Sequence, residues 1–324
     1  MSAVTAPQIR SSAEHDVTFP CMGCSVRLLV GGADGAAAAA TARAQLEDFD
    51  ARLSRFRADS ELCALNADPR AVVPASHLLR TTVAAALWAA HRTNGLVDPT
   101  LVDALERVGY ASSLAGATAG PVAAALHSAP PRRPAHPRPD AAWRDVAIDD
   151  AAGTIARPPG LRLDSGGVGK GLAADLVAHQ LARGGRHRFA VDAAGDLRLG
   201  GTRTAARRHA VEIAHPWEPR PIGTLQLRAG GVATSGVGSR LWRTADDRFA
   251  HHLLDPSTGE PAWTGLVSAT ALAPTALEAE VRAKAALLSG PLGARRWLAE
   301  HGGVVVHDDG APEWIGPASD LRAA

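Results

Sequence analysis

Segments in which apolar residues recur every three or four positions alternate along this chain with short apolar runs bounded by turn-forming residues. The first pattern is typical of helices with one buried face, and the second is typical of strands. Helices are predicted at residues 36–56, 77–93, 101–108, 172–181, 275–288 and 292–301. The second of these stops at Asn94-Gly95, a common way for a helix to end.

Short strands are predicted between and after these helices. Their positions are residues 25–30, 146–148, 154–156, 188–191, 197–199, 210–213, 223–227 and 304–307. The strands and helices follow each other without a repeating strand–helix–strand period and without internal repeats. This irregular succession favours an α+β fold.

The predicted organisation is one large domain over residues 17–308. Residues 1–16 are predicted to form a flexible N-terminal tail, and residues 309–324 a C-terminal tail. Residues 113–140 are rich in alanine, proline and histidine, which predicts a variable surface loop. The length of 324 residues suits one large domain or two closely packed lobes.

The composition of the chain argues against several classes of protein. The chain is 46% hydrophobic with a formal net charge of +1 and no long basic run, which argues against nucleic acid as the main partner. No segment approaches the ~18 apolar residues of a membrane-spanning helix, and no apolar leader is visible, so the cytoplasm is the expected location. Three cysteines exclude a full disulfide framework, and ordinary thiols are favoured over a redox pair at Cys21 and Cys24.

The most informative segment is a glycine-rich turn at residues 164–171, directly before a predicted helix. Glycine lets backbone N–H groups approach a ligand closely, a helix N-terminus favours anions, and Lys170 adds a positive charge. A phosphate or diphosphate is the expected ligand. Asp164, Gly171 and Leu172 depart from the two common nucleotide-binding glycine loops. A plain strand-to-helix turn is the alternative interpretation.

Seven further motifs flank this turn in a fixed order. They are Met22-Gly23-Cys24; Leu53-Ser54-Arg55-Phe56 with Asp59-Ser60-Glu61-Leu62 and Asn66; Val97-Asp98-Pro99-Thr100; Asp192-Ala193-Ala194-Gly195-Asp196; Ala233-Thr234-Ser235-Gly236; His252-Leu253-Leu254-Asp255-Pro256 with Thr258-Gly259; and the segment 268–280. Together with the turn, they resemble the motifs of the FAD:protein FMN transferases, the ApbE family. The resemblance covers roughly residues 17–290.

The resemblance implies a two-lobed α+β fold with mixed or antiparallel sheets, flanking helices and a flavin between the lobes. It implies an enzyme that moves FMN from FAD to a threonine of a target protein and releases AMP, with Mg²⁺ as the metal. The target protein would carry a short Asp-Gly-x-Thr-Ser/Ala motif. Two alternatives remain open: hydrolysis of FAD to FMN and AMP, and flavin binding without catalysis.

The resemblance also implies the residues that contact FAD. These are Met22, Phe56, Val97, Asp98, Asp164, Lys170, Thr234, Ser235 and His252. His252 is the expected general base, since imidazole titrates near neutral pH, and Asp255 follows at the next motif position. Ordinary core packing is the alternative for Met22 and Phe56. A turn-forming role is the alternative for Asp98 and for the Thr234-Ser235 pair.

The expected metal site departs from the family pattern. The family has Asp and Thr four residues apart where this chain has Glu280 and Lys284. In one interpretation Lys284 is a catalytic residue whose ammonium lies where magnesium would and neutralises the diphosphate, without a metal ion or with a weakened one. In a second, Mg²⁺ persists on Glu280 and on the carbonyl groups of Gly167 and Leu277. In a third, Glu280 and Lys284 form an ordinary helix salt bridge worth about 0.3–0.5 kcal/mol.

Overall fold

The computed structural model describes residues 8–10, 15–114, 120–201, 208–317 and 321–323. The helices in these parts of the chain are α1 (Gly35–Leu53), α2 (Glu61–Ala67), α3 (His77–Arg92), α4 (Val102–Arg107), α5 (Val122–Ser128), α6 (Gly169–Arg183), α7 (Ala276–Leu288) and α8 (Gly290–Leu298). The strands are β1 (Gln8–Arg10), β2 (His15–Cys21), β3 (Cys24–Val30), β4 (Val72–Pro74), β5 (Ala147–Asp149), β6 (Thr154–Ala156), β7 (Phe189–Ala193), β8 (Asp196–Gly200), β9 (His209–Ile213), β10 (Gly223–Leu227), β11 (Gly230–Gly236), β12 (Leu241–Arg243), β13 (Phe249–His251), β14 (Leu254–Asp255), β15 (Glu260–Pro261), β16 (Leu266–Ala273), β17 (Gly303–His307), β18 (Pro312–Ile315) and β19 (Leu321–Ala323).

An eight-stranded antiparallel sheet forms the centre of the fold. Its strand order is β18-β17-β16-β11-β8-β7-β3-β2. A four-stranded antiparallel sheet, ordered β1-β9-β10-β19, packs against it. Leu197 and Leu199 of the large sheet share an apolar cluster with Val211 and Leu225 of the small one. The predicted α+β class, with antiparallel sheets and flanking helices, is confirmed.

Helices α1, α6 and α7 form the layer that carries the site. Helix α1 buries Ala39, Ala42, Leu46, Phe49 and Leu53, whose spacing of three and four residues makes one apolar stripe. Helix α6 packs against both α1 and α7, and α7 also packs on β11 and β16. Because α7 has neighbours on several sides, it is buried almost all round, and its alanine-rich sequence allows the close approach.

Gly171 is the point of closest approach between α6 and α7. A Cβ at this position would lie 2.7 Å from the carbonyl oxygen of Ala276 and from the backbone of Leu277. We expect Gly171→Ala to lower the free energy of unfolding by about 2–4 kcal/mol, because backbone atoms have to move apart. Urea denaturation measures the change. Gly169→Ala is the matched control, since its Cβ would meet its nearest neighbour at 3.8 Å; equal effects of both substitutions would contradict the prediction.

The structure differs from the predicted tails at both ends of the chain. At the N-terminus, β1 pairs with β9 and β2 forms the edge of the large sheet. At the C-terminus, β18 pairs with β17 and β19 pairs with β10. Backbone pairing to distant strands orders these segments, and such pairing leaves no short-range sequence signal. Residues 1–7, 11–14, 318–320 and 324 lie outside the described residues, and the domain boundaries stay a prediction.

Two short helices were not predicted. Helix α2 begins after Ser60, whose hydroxyl accepts a hydrogen bond from the N–H of Cys63 at 3.1 Å. Helix α5 lies inside the predicted loop 113–140, where its Ala125 packs in an apolar cluster with Leu241 and Trp263. Both helices are seven residues long, too short for periodicity to identify. Residues 115–119 of the loop lie outside the described residues.

Among the helices of the described ranges, none is both long enough and apolar enough to cross a bilayer.

Candidate functional site

The tip of the β2–β3 hairpin forms one wall of the site. Cys21 pairs with Cys24, so Met22 and Gly23 are the two turn residues between the strands. Their φ angles are 52° and 68°, the positive values that a tight hairpin turn requires at both positions. The carbonyl of Gly23 accepts a hydrogen bond of 3.1 Å from the guanidinium of Arg240. The predicted flavin-contact residue Met22 therefore lies beside a cationic side chain.

The glycine-rich turn presents free backbone donors. Helix α6 begins at Gly169, and in the described part of the chain the N–H groups of Gly166 and Gly167 have no acceptor. The N–H of Gly171, further along the turn, donates to a carboxylate oxygen of Glu280 at 2.8 Å. Lys170 forms an ion pair with Asp196 of β8. The turn thus has N–H groups available for an anion and a lysine beside them.

Two lysine–carboxylate pairs lie next to each other at this turn. Lys284 donates to the other oxygen of Glu280 at 2.8 Å, and Glu280 is 1% exposed. Burial raises the pKa of the Glu280 carboxyl, which the charge of Lys284 opposes. Burial by itself would lower the pKa of Lys170, but the carboxylates of Asp196 and Glu280 raise it above its ordinary value. Lys170 is therefore an ammonium ion at neutral pH.

A third carboxyl belongs to the same cluster. Asp192 of β7 accepts a hydrogen bond of 2.8 Å from the N–H of Gly195, which closes the turn between β7 and β8. Burial raises the pKa of Asp192 to about 6, and neighbouring Asp196 adds to the effect. The predicted Asp192–Asp196 motif therefore forms a turn that positions Asp196 against Lys170.

His252 lies among the cations of this cluster. Burial is the main reason that the pKa of His252 is lowered well below 6.5, and the charges of Lys284, Arg240 and Lys170 add to it. The Nδ1 atom of His252 is buried, with no hydrogen-bond partner among the described residues. A neutral imidazole with an unused ring nitrogen is suited to accept a proton.

Asp255 serves the fold and has no hydrogen bond to His252. Its carboxylate accepts from the N–H groups of His136 and Ser257 at 3.0 Å, and from the hydroxyl of Ser257 at 2.8 Å. It therefore holds the turn after β14. Asp255 is the next motif position after His252, and it directs its carboxylate to the residues of its own loop.

His251, the residue directly before His252, belongs to the core. It is 0% exposed and meets the ring of Trp263 edge-on at 4.7 Å. Burial lowers the pKa of His251 to about 3, so the folded protein holds the neutral imidazole. Its Nδ1 atom accepts from the N–H of Leu253 at 3.3 Å. His251 thus has a structural role that its neighbour lacks.

The burial of neutral His251 predicts acid destabilisation. Its contribution to stability is complete above the unfolded pKa of 6.5 and is lost as the pH falls toward about 3. We expect a loss of ~1.4 kcal/mol per pH unit from this histidine. His251→Asn removes the titration while its amide oxygen replaces Nδ1 as an acceptor. Urea denaturation near pH 7.5 and near pH 5 should show a smaller loss in the variant, and parallel losses would refute the assignment.

An aromatic cluster adjoins the turn at Asp164. The ring of Phe56 lies 5.3 Å from that of Tyr110, and Tyr110 stacks on Trp242 at 5.4 Å. The guanidinium of Arg55 lies over Phe56 and Tyr110, and its Nε is 3.4 Å from the Asp164 carboxylate. The planar surface suits a flavin ring system. Tyr110, Trp242 and the role of Arg55 were missed; the signal was that Tyr110 is the one tyrosine in the sequence.

Val97 and Asp98 lie on the other side of the turn. The Cγ1 atom of Val97 would be 3.3 Å from a Cβ at Gly167, so this pair packs tightly. One carboxylate oxygen of Asp98 binds the N–H and hydroxyl of Thr100 at 2.8 and 2.6 Å. The other is buried and unpartnered in the described chain, and burial raises the pKa of Asp98. The free oxygen is available to a ligand hydroxyl or amine.

Thr234 and Ser235 are strand residues and do not close a turn. Thr234 lies within β11, where its hydroxyl bonds that of Thr270 on β16 at 2.8 Å. Ser235 is next along the same strand and is 8% exposed. Neither has a hydrogen bond to another predicted site residue in the described structure. Thr234 and Ser235 therefore have no hydrogen bond to the lysine cluster in the described structure. Their contact with FAD stays a prediction.

The residues at the expected metal position do not fit a divalent cation. Both oxygens of Glu280 are already used, one by Lys284 and one by the N–H of Gly171. The Leu277 N–H binds the Asp175 carboxylate at 2.9 Å, so Asp175 caps α7. Within the described ranges, no group of three His, Cys, Asp or Glu side chains is arranged to hold a metal ion. The ammonium of Lys284 is the cation at this position.

Comparisons with known proteins agree on one family. A model of the ApbE family matches residues 22–306, which include all the site residues above. An FAD:protein FMN transferase of Klebsiella pneumoniae (strain 342) is 28% identical over 329 residues, covering 97% of this chain and 91% of that protein. The FAD:protein FMN transferase of Salmonella typhimurium is 29% identical over 268 residues, covering 80% and 74%. The crystal structure of the ApbE protein from Thermotoga maritima has a TM-score of 0.77 at 24% identity, covering 93% of this chain and 97% of that one.

Proposed function

This chain belongs to the ApbE family, and we propose that it transfers FMN from FAD to a threonine hydroxyl of a target protein, with release of AMP. The observation that carries the proposal is a neutral histidine, His252, held among the cations Lys170, Lys284 and Arg240 beside a glycine-rich turn with free N–H groups. A diphosphate needs cations and N–H donors, and a hydroxyl nucleophile needs a proton acceptor.

The reaction breaks one bond of the diphosphate. The threonine oxygen attacks the phosphorus of the FMN half, and the bond from that phosphorus to the bridging oxygen breaks. The bridging oxygen leaves with AMP, and the threonine proton moves to the free ring nitrogen of His252. Negative charge grows on the phosphate oxygens during this step. Lys170 and the N–H groups of Gly166 and Gly167 are positioned to stabilise it.

The remaining predicted contacts would hold the two ends of FAD. We assign the ring system to the cluster of Phe56 and Tyr110 with Met22 at the hairpin tip, because these side chains offer planar and apolar surface. The free oxygen of Asp98 is assigned to a hydroxyl or amine of the ligand. Asp164 positions the Arg55 guanidinium over the Phe56 ring and thereby supports the flavin surface.

A flavinylation assay tests the proposal. The purified chain is mixed with FAD and an acceptor domain that carries an Asp-Gly-x-Thr-Ser/Ala motif, and the products are examined by denaturing gel fluorescence and mass spectrometry. We expect an FMN mass increment on the threonine and one AMP per adduct. An acceptor with that threonine replaced by alanine is the control. AMP release without an adduct would assign hydrolysis, and bound FAD with neither product would assign a flavin-binding protein.

A further inference from the structure

We propose that the ammonium of Lys284 takes the place of a bound divalent cation on the diphosphate of FAD, so that FMN transfer by this chain needs no metal ion. This inference rests on the proposed function and names the group that neutralises the substrate. It identifies Lys284 as a catalytic residue that touches the diphosphate.

Lysine is rare in this chain, and both of its lysines lie in this charge cluster. Of its 34 lysine and arginine residues only two are lysines, Lys170 and Lys284. The other cationic side chains are all arginine, so lysine occurs only in this charge cluster. An ammonium is a compact point charge with three donors, whereas a guanidinium is a wide planar fork. An ammonium therefore resembles a metal ion in size and shape more closely than a guanidinium does.

The burial of the Glu280–Lys284 pair distinguishes it from an ordinary salt bridge on a helix surface. Side-chain exposure is 1% for Glu280 and 12% for Lys284. Surface pairs at this spacing contribute little, and a buried pair requires removing both charges from water. Lys170 and Arg240 lie nearby, and Arg240 has no carboxylate partner in the described chain, so the cluster is costly unless an anion joins it. The diphosphate would complete the charge balance.

The hydrogen bonds of Lys284 leave donors for that anion. One N–H of the ammonium goes to Glu280, and no other acceptor contacts it in the described structure. Two donors therefore remain for phosphate oxygens. Glu280 is held on its other side by the N–H of Gly171, which belongs to the glycine-rich turn. The carboxylate thus fixes the ammonium next to the backbone donors expected to hold the same phosphate.

A metal ion would have to dismantle this arrangement. It would need an oxygen of Glu280, yet both are engaged, and it would approach the positive charges of Lys284 and Lys170. Like charges this close repel strongly in a buried site. In the transfer step, Lys284 would bind the oxygens of the diphosphate while the bond to the leaving AMP breaks. It donates hydrogen bonds and forms no covalent bond.

The first test measures FAD affinity by flavin fluorescence in buffer with EDTA and in buffer with Mg²⁺. For the wild-type chain we expect the two dissociation constants to agree within about 3-fold, because the ammonium is already present. Glu280→Asp with Lys284→Thr installs the acid and hydroxyl that the family has at these positions. This double variant should bind FAD about 10-fold or more weakly in EDTA and recover with Mg²⁺. Weakening of the wild type in EDTA with recovery in Mg²⁺ would overturn the inference.

A second test does not depend on any variant folding. Because the chain has two lysines, ¹³C labelling at lysine Cε gives two side-chain signals in NMR, and both come from the site. FAD should shift both signals. Adding Mn²⁺ in the presence of FAD should leave them sharp, because no paramagnetic ion binds nearby. Broadening of either lysine signal would mean that a metal sits on the diphosphate and would refute the proposal.

The two proposals fail in different ways. Flavinylation by the wild type in EDTA supports both, and flavinylation that requires Mg²⁺ overturns the Lys284 inference while the transferase stands. If no adduct forms in either buffer with two different acceptor domains, the transferase is wrong. FAD affinity and the two lysine signals then still decide whether Lys284 replaces the metal.

Discussion

Replacing His252 with asparagine should slow FMN transfer by about 10²- to 10⁴-fold, the usual contribution of a general base. FAD affinity should change little, because the neutral imidazole carries no charge for the diphosphate. Single-turnover flavinylation at saturating FAD measures the rate, and fluorescence titration measures the affinity. His251→Asn is the matched control, since that residue lies in the core and should keep its transfer rate. A His252→Asn variant with a wild-type rate would assign the proton to another acceptor.

The second large effect is expected from Lys170→Met. The substitution leaves the carboxylate of Asp196 buried at 1% exposure without its partner, which should cost ~3 kcal/mol of stability. It also removes a cation from the diphosphate, which should weaken FAD binding by about 10- to 100-fold.

The double variant Lys170→Met/Asp196→Asn separates these two effects. It removes both charges of the pair, so we expect most of the stability to return while the loss of FAD affinity remains. Urea denaturation and fluorescence titration are run on the same preparations. If the double variant recovers FAD affinity as well, Lys170 acts only by neutralising Asp196 and does not contact the ligand.

Local sequence patterns were sufficient to predict most of the helices. The six helices were predicted to within a few residues because each buries a stripe at helical spacing, as in α1. The glycine-rich turn was also visible, because glycine and lysine directly before a helix have a local physical meaning. The i,i+4 relation between Glu280 and Lys284 was equally readable, since a helix places such residues side by side.

Contacts between residues that are far apart along the chain could not be predicted from the sequence. Asp175 caps α7 from α6, and Tyr110 packs on Phe56 from a distant loop; in both cases the partners are far apart along the chain. The role of Asp255 was equally hidden, because His136, whose N–H donates to its carboxylate, is 119 residues away along the chain. Whether the Glu280–Lys284 pair lay on the surface or in the interior also depended on packing, and its burial argues against an ordinary surface salt bridge.

The segments that form the site come from distant parts of the chain, and this affects when a ligand can bind during synthesis. The hairpin tip with Gly23 comes from the beginning of the chain, the glycine-rich turn from its middle, and Lys284 from α7 near its end. The smaller sheet likewise joins β1 and β19, from opposite ends, to β9 and β10. A nascent chain therefore lacks part of the proposed flavin site until α7 has left the ribosome, and FAD cannot stabilise it before then. The face of α6 that packs on α7 stays uncovered until that point, so chaperone protection should matter most before α7 is made.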